Sequence, residues 1–381
     1  MSTRFANPWP DLATARTFLG SLAGVTNESD HVLENQVDNV LLAQWLIERN
    51  LGSLAYVRCR SISPNLAGSL QVEHFSTAAQ NSLHWHNLQQ IDGKFADADI
   101  TAVLLKGAAL AGTVYDGLEQ RSMVDIDLWL SEQDMGQGCS LMDNLDFHSV
   151  RDLDRPLALQ VLSDGEIQYY SPDGASTLVE LHLSPFEGWW IKRTAAIDKA
   201  GLWARKEALN QWKAFYQLAA EDMVIQLALH LAVGHQFGPQ SVRSLMDIAI
   251  TSKAREVNWQ VVANRAKEWR VATAVWQVLF LVKQLIGASG LENVLTQLQP
   301  SAWRRRQLHR FVSPQSILAG RDLRDEHERF LFLLLLVDRP RDASRLVGRS
   351  LWPEDEWLSA RYGGEVNRWR HIRRLITQGE I

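Results

Sequence analysis

The chain has 381 residues, of which 46% are hydrophobic and 22% are charged, and its formal net charge is -5. At roughly 150 residues per domain, this length predicts two to three domains with sizeable cores. The composition excludes a disordered, collagen-like or low-complexity chain, and the negative charge argues against a protein that grips nucleic acid over its whole surface.

No segment of the sequence has the pattern of a membrane span or a secretory signal. The longest strongly apolar run, residues 330–337, is far shorter than the roughly 20 residues that cross a bilayer. The first twenty residues contain Asp11 and Arg16 and no continuous apolar stretch. Cys59 and Cys139 lie outside any C-x-x-C arrangement and are expected to be small buried hydrophobes. We therefore expect a cytoplasmic protein without membrane contact.

Three regions follow one another in the predicted secondary structure. Apolar residues at helical spacing predict an N-terminal helical region over residues 1–98. Short apolar and alternating runs predict a small mixed β-sheet over residues 99–185. Residues 186–381 return to helical spacing as far as the end and predict a C-terminal helical region. The predicted fold class is α+β, a predominantly helical chain around a small mixed sheet.

Within the sheet region, the order of the elements is readable from turn residues. Residues 100–105 form a short apolar run that predicts a strand, and the Lys-Gly pair at 106–107 turns this strand into a helix. Residues 124–130 alternate acidic and apolar side chains, which predicts a second strand. The runs 166–170 and 177–183 flank Ser-Pro-Asp-Gly and predict a hairpin, because proline presets φ and glycine accepts a positive φ.

The acidic residues of these strands suggest a metal site. Asp125 and Asp127 are two apart, so both leave the same face of a strand with Cα atoms about 6.6 Å apart. Paired carboxylates repel each other unless a cation compensates, and Mg²⁺ favours oxygen ligands. Glu180 is the candidate for a third carboxylate, since an unpaired acid between apolar neighbours is expensive to bury. His182 shares its face and is a candidate to orient substrate or a ligand carboxylate; the alternative is that Glu180 and His182 lie on a solvent-wetted face.

The Lys-Gly turn is a candidate phosphate site. A strand that ends at Lys106 and Gly107 and continues into a helix presents free backbone N–H groups, where the helix dipole also favours an anion. Glycine lets a phosphate come close, and Lys106 supplies a positive charge. Arg121, four residues before Asp125, is a candidate partner for a phosphate or for the aspartates.

Four further polar residues lie in the helical region that follows. His230 and His235 are five apart, about 140° of rotation on an α-helix, so they do not form the i, i+4 zinc pair of a metalloprotease. They are assigned either to packing around the site or to the substrate pocket, together with Arg243 and Asp247. Those two are i, i+4 and are expected to pair with each other if they do not contact substrate.

Taken together, these motifs resemble the uncharacterised nucleotidyltransferase family of the DNA polymerase β superfamily. The likeness covers roughly residues 100–260. The residues that carry it are Lys106-Gly107, Tyr115, Arg121, Asp125-Ile126-Asp127-Leu128, Glu180-Leu181-His182, His230, His235, Phe237, Arg243 and Asp247-Ile248-Ala249.

This resemblance implies a nucleotidyltransferase sheet of the polymerase β type, with residues 99–185 as the catalytic core. It implies that Asp125, Asp127 and Glu180 hold Mg²⁺, or Mn²⁺ in its place, and that the Gly107 turn receives the triphosphate of an NTP, with ATP as the first candidate. An acceptor hydroxyl would then attack the α-phosphate and expel pyrophosphate. The acceptor stays open among a small molecule, a peptide, a protein and an RNA end.

The sequence departs from the wider superfamily at the turn. The superfamily has Gly-Ser or Gly-Gly about ten residues before the aspartates, whereas this chain has Lys106-Gly107-Ala108 with seventeen residues between Gly107 and Asp125. Two other functions are compatible with the motifs. One is a catalytically degenerate protein that binds nucleotide or a partner within a toxin–antitoxin or biosynthetic complex. The other is a metal-dependent glycosyltransferase, in which Asp-x-Asp also occurs.

The C-terminal part is relatively basic. Residues 301–381 contain sixteen arginines and eleven acidic residues. Most of the excess lies in two clusters, at 304–310 and 368–374. One interpretation is an anionic partner, and the other is a solvated helix face whose arginine stems lie over tryptophans.

Overall fold

The computed structural model describes residues 7–26, 37–149, 165–172, 177–186, 188–321, 326–362 and 368–378. Over these ranges the chain is predominantly helical and contains one mixed sheet of seven strands. The α+β prediction is therefore confirmed. Among the helices described, none is both long enough and apolar enough to cross a membrane.

The strands are β1 Ala102–Leu104, β2 Asp125–Leu130, β3 His148–Ser149, β4 Glu166–Tyr170, β5 Leu178–His182, β6 Glu207–Ala208 and β7 Phe215–Gln217. Their order in the sheet is β3-β4-β5-β2-β1-β7-β6. The acidic strand β2 lies at the centre, antiparallel to β1 and parallel to β5. Strand β4 is antiparallel to β5, which confirms the predicted hairpin, although turn residues 173–176 lie outside the described ranges.

The prediction that the chain is helical throughout after residue 185 is wrong at two short strands. β7 pairs in parallel with β1, and β6 pairs with β7, so the sheet includes residues well beyond 185. Runs of two and three residues are too short to show the alternation that identifies a strand. The division of the chain into three regions stays a prediction.

The described N-terminal part of the chain is helical, as the spacing of its apolar residues predicted. They are α1 Leu12–Leu22, α2 Asn39–Glu48, α3 Gly52–Cys59 and α4 Pro64–Asp97. Helix α4 starts with Pro64 at its first position, where a missing N–H does no harm. It ends before Asp99, whose φ of 57° lies in the left-handed region. Polar residues of α4, including Asn81 and His84, are fully buried and form hydrogen bonds to Arg121 and Thr177, in the segments that precede β2 and β5.

The later helices are α5 Lys106–Ala111, α6 Met135–Asn144, α7 Gly188–Thr194, α8 Lys199–Ala204, α9 Ala220–Leu229, α10 Ser241–Ala254, α11 Trp259–Glu268, α12 Ala272–Leu285, α13 Glu292–Leu298, α14 Ala302–Phe311, α15 Pro314–Leu318, α16 Glu326–Leu336, α17 Pro340–Leu351, α18 Asp355–Tyr362 and α19 Arg368–Gln378. Helix α12 is buried along most of its length and packs against α1, α9 and α10.

In the basic C-terminal part, the guanidinium of Arg368 lies 5.2 Å from the ring centroid of Trp352. This contact agrees with the interpretation of a solvated helix face whose arginine stems lie over tryptophans.

Candidate active site

A cavity of about 460 Å³ opens beside the carboxyl end of β1 and the start of β2. The residues singled out from the sequence that line it are Lys106, Gly107, Arg121, Asp125, Glu180, His230, His235, Arg243 and Asp247. Asp127 and His182 are fully buried and contact lining residues. The structure therefore brings all of the sequence-predicted candidates to one place.

Strand register explains why the acidic residues meet. Asp127 is the direct neighbour of Glu180 in the parallel pair β2–β5, and Glu180 is the direct neighbour of Gln168 in the antiparallel pair β4–β5. Side chains at directly opposed positions leave the same face of a sheet. The Gln168 Nε2 amide donates to Glu180 Oε1 at 2.8 Å and to Glu166 Oε1 at 2.9 Å. Glu180 is thereby held by a neutral donor on one side.

Asp127, Glu180 and His182 form a compact group in which one ligand atom from each residue lies within 4.8 Å of the other two. His182 Nε2 is 2.8 Å from Asp127 Oδ1 and 3.5 Å from Glu180 Oε2. Since His182 is fully buried and Glu180 nearly so, the alternative of a solvent-wetted face is wrong. Asp125 is not a member of this group and lies on the pocket wall. The compact group thus contains two carboxylates and one imidazole, and the joint site of Asp125, Asp127 and Glu180 stays a prediction.

Asp127 carries the strongest interactions of the site. Lys106 Nζ donates to its Oδ1 atom at 2.6 Å, and His182 contacts the same oxygen. Burial raises the pKa of Asp127, but the charges and hydrogen bonds of Lys106 and His182 lower it by more than burial raises it. The net pKa lies below the usual value, so the carboxylate is ionised. The other oxygen, Oδ2, is buried and has no hydrogen-bond partner among the residues described. One side of this carboxylate is therefore still available to a cation.

Lys106 reaches Asp127 from a strained backbone position. Its φ of 45° lies in the left-handed region, which is uncommon for a residue other than glycine. The Lys106 charge therefore neutralises the protein's own carboxylate, and the contact with phosphate that the sequence indicated stays a prediction.

Asp125 differs from Asp127 in its ionisation. Burial raises the pKa of Asp125 to about 6, and the negative charges of Asp127 and Glu180 raise it as well, against the opposing effects of Lys106 and Arg121. Two acids on one strand thus have pKa values displaced in opposite directions, which is typical of functional sites.

The Arg121 side chain binds a carboxylate on a distant helix. Its Nε and Nη2 atoms donate to Asp247 Oδ1 and Oδ2 at 3.0 and 2.8 Å, and the Tyr115 hydroxyl donates to Asp247 Oδ1 at 2.7 Å. Burial lowers the pKa of Arg121, but the Asp247 carboxylate raises it more. Arg121 was expected to contact a phosphate or the aspartates of β2; its side chain pairs with Asp247, and a contact with phosphate stays a prediction.

The expected pair between Arg243 and Asp247 does not form. Asp247 is used by Arg121 and Tyr115, whereas Arg243 Nη1 donates to the Ser122 carbonyl at 3.3 Å. A tertiary partner therefore replaces the i, i+4 partner that spacing alone predicts.

The two histidines of this region lie closer together than α-helical geometry allows. Residues His230–Gly234 form a π-helical turn, closed by a 2.8 Å bond from the His235 N–H to the His230 carbonyl. The i→i+5 bond of this turn brings the two rings together edge to face, with centroids 4.3 Å apart. The prediction that 140° of rotation separates them is wrong. Desolvation and the Lys106 charge lower the pKa of both rings, so both are neutral at pH 7.

A family model described as uncharacterised nucleotidyltransferase matches residues 35–287, about two thirds of the chain. The chain belongs to the uncharacterised nucleotidyltransferase family. No curated protein and no solved structure matches it. The matched range includes every residue of the pocket named above, so the family assignment and the geometry concern the same part of this nucleotidyltransferase-family protein. The family supports a transferase with an NTP substrate.

Three residues that position the site of this family member were not identified from the sequence. On β4, Gln168 contacts Glu180 and Glu166 contacts His182. The alternation of residues 166–170 places Glu166 and Gln168 on one strand face, and the hairpin register then places both residues beside Glu180 and His182. Asn81 on α4 donates to the Arg121 carbonyl at 2.8 Å and accepts from the Met123 N–H, which fixes the segment before β2. No local pattern in α4 marks that contact.

Gly107 is packed against the Arg121 guanidinium. A Cβ atom at Gly107 would lie 3.1 Å from Arg121 Nη1 and 3.3 Å from Met123 Cγ, and Arg121 is held by Asp247. We expect Gly107→Ala to destabilise the fold by about 1–3 kcal/mol through overpacking. The matched control is Gly68→Ala on α4, where no atom lies within 4 Å; it is expected to stabilise by about 0.5–1 kcal/mol.

Urea denaturation of the two variants measures both effects. Equal stability of the two alanine variants would contradict the close packing of Gly107 on Arg121.

Proposed function

We propose that this protein is a Mg²⁺-dependent nucleotidyltransferase that moves an NMP from an NTP to an acceptor and releases pyrophosphate. The observation that supports it best is the buried Oδ2 atom of Asp127, which lacks a hydrogen-bond partner in the described part of the chain. A buried carboxylate oxygen without a partner is unfavourable. A cation bound there, between Asp127 and Glu180, would satisfy both carboxylates.

The donor atoms fit Mg²⁺ or Mn²⁺. Asp127 and Glu180 offer hard oxygen ligands, and Asp125 adds a third carboxylate from the pocket wall. His182 holds the Asp127 carboxylate in place through its contact with Oδ1. When bound, such a metal would activate the attacking hydroxyl and neutralise charge on the phosphates.

The chain's own groups would position the substrates. In the proposed reaction, an acceptor hydroxyl oxygen attacks the α-phosphorus and releases its proton to solvent. The bond between the α-phosphorus and the α,β-bridging oxygen breaks, so pyrophosphate leaves with the bonding electrons. Gly107 lines the pocket wall, where we propose that the triphosphate binds. Holding two reactants in one pocket is a large part of the catalysis available to such a site.

We also propose a sheet type, a division into regions, a donor nucleotide, a location and a set of acceptors. We propose a polymerase β-like sheet, supported by the central acidic strand β2 between a parallel and an antiparallel neighbour. Residues 99–185 would form most of the catalytic core, with helical regions at 1–98 and 186–381. ATP and the cytoplasm are our first proposals for the donor nucleotide and the location. A small molecule, a peptide, a protein or an RNA end is the acceptor.

One observation favours a second candidate, a protein that binds nucleotide without turnover. The Lys106 ammonium already neutralises Asp127 at 2.6 Å and so partly replaces a metal. Such a protein would bind nucleotide equally well with and without a divalent cation.

Transfer of a labelled NMP, which accompanies pyrophosphate release, separates the two candidates. Each of ATP, GTP, CTP and UTP is incubated with Mg²⁺ or Mn²⁺ and a cell extract as the source of acceptors, using an α-phosphate label to follow transfer. We expect label transfer with at least one NTP, its loss with EDTA, and normal transfer by the surface variant Arg58→Gln. Nucleotide binding that is independent of metal and without transfer would favour the second candidate. Absence of any nucleotide binding would contradict both.

A further inference from the structure

Three cationic side chains line the pocket, and they differ in how their charge is balanced. Lys106 pairs with Asp127, and Arg121 pairs with Asp247. Arg243 has no carboxylate oxygen within 4.0 Å in the part of the chain that the structure describes. The pocket therefore contains two cations committed to protein carboxylates and one that is not.

The guanidinium of Arg243 is also poorly hydrogen-bonded. Its Nη1 atom makes one long bond, 3.3 Å to the Ser122 carbonyl, and its buried Nε atom has no partner among the described residues. Burial, followed by the neighbouring charge of Arg121, lowers the pKa of Arg243 to about 10. A partly buried cation without a paired anion is unfavourable. An anion supplied by a ligand would remove this imbalance.

The surroundings of Arg243 are suited to an oxyanion. Arg243 lies in the first turn of α10, where the helix dipole favours negative charge, and Gln240 and Ser244 of the same turn also line the pocket. His230 and His235 are neutral, so each can donate a ring N–H without adding charge. These residues provide the pocket with hydrogen-bond donors and positive charge.

The pocket is also lined by the carboxylates of Asp125 on β2, Glu166 on β4 and Glu180 on β5. A divalent metal bound by these carboxylates would attract an anionic group, and so does the charge of Arg243. The strand carboxylates and the α10 cation together suit a metal-bound polyphosphate, with the metal at the sheet and the free phosphate oxygens at Arg243.

We propose that Arg243, together with His235, forms the subsite for the β- and γ-phosphates of the donor NTP. Lys106 and Arg121, which sequence spacing favoured for this task, hold protein carboxylates instead. This inference rests on the proposed function, because it assigns the anion to the donor nucleotide.

Binding measured by calorimetry tests the subsite directly. Wild-type protein, Arg243→Gln, Arg243→Lys and the surface control Arg58→Gln are titrated with ATP, inorganic tripolyphosphate and adenosine. We expect Arg243→Gln to weaken ATP and tripolyphosphate by about 10- to 100-fold, the loss of a charge-assisted hydrogen bond, and to leave adenosine binding unchanged. Arg243→Lys is expected to be intermediate, because it keeps the charge and loses the planar fork.

Thermal unfolding of the ligand-free protein tests whether Arg243 has a structural role. Arg243→Gln removes a cation that has no protein carboxylate, so its unfolding temperature is expected to equal or exceed that of the wild type. Equal losses for ATP and adenosine, unchanged tripolyphosphate binding, or a strongly lowered unfolding temperature would overturn the inference. Tripolyphosphate binding through Arg243 without nucleotidyl transfer would refute the proposed reaction alone. Transfer with an unchanged KM for NTP in Arg243→Gln would refute the subsite alone.

Discussion

Asp127→Asn is expected to lower nucleotidyl transfer by about 10²- to 10³-fold and to destabilise the fold by about 3–5 kcal/mol. Asp127 is fully buried and accepts from Lys106 at 2.6 Å. Asparagine keeps the shape but removes the negative charge, which leaves the Lys106 ammonium without its carboxylate partner. It also removes the oxygen anion on which the proposed metal site depends. Label transfer and urea denaturation measure the two effects separately.

A double variant separates the loss of activity from the loss of stability. Lys106→Met combined with Asp127→Asn removes both charges of the pair, so stability is expected to recover much of the way towards the wild-type value. Transfer is expected to stay as low as in Asp127→Asn alone. Recovery of transfer together with stability would show that Asp127 acts only in folding, and would contradict its proposed role in holding the metal.

Asp247→Asn is expected to be the most destabilising change outside the acidic group, by about 3–5 kcal/mol. The Asp247 carboxylate accepts two bonds from the buried Arg121 guanidinium and one from the Tyr115 hydroxyl. Removing its charge leaves Arg121 as a buried cation without a paired anion. The free energy of unfolding, measured in urea with circular dichroism, tests the prediction.

The matched control is the exposed ion pair between Arg58 and Asp116, whose side chains are 41% and 74% exposed. Asp116→Asn is expected to change stability by less than about 0.5 kcal/mol, because solvent screens an exposed pair. If Asp247→Asn and Asp116→Asn destabilise equally, the buried network around Arg121 does not contribute as the structure indicates.

The acidic part of the site could be predicted because its geometry is local. Alternation with period 2 places Asp125 with Asp127 and Glu180 with His182 on one face of each strand, and the Pro-Asp-Gly signal predicts the hairpin that carries Glu180. That β2 and β5 are neighbours, so that Asp127 meets Glu180, is a tertiary fact. The strands and their acidic residues could be predicted from the sequence, whereas the register between the strands could be determined only from the structure.

The cationic part could not be predicted in the same way, because each partner is distant in sequence. Spacing favours an i, i+4 pair between Arg243 and Asp247, yet Arg121 takes Asp247 across 126 positions and is better placed to form a bidentate pair. The π-helical turn at His230–Gly234 has no sequence signature, and it alone brings His230 and His235 together. The three residues of β7 are too few for a pattern.

We propose that Asp127 and Glu180 jointly hold a divalent cation beneath the phosphates of a nucleotide. A crystal soaked with Mn²⁺ and a non-hydrolysable NTP tests it most directly, because anomalous scattering locates the metal independently of the ligand. We expect an anomalous peak in contact with Asp127 Oδ2, a Glu180 oxygen and a phosphate oxygen. Nucleotide bound in the pocket with no metal between it and these carboxylates would show that Asp127 and Glu180 do not hold a cation for the nucleotide.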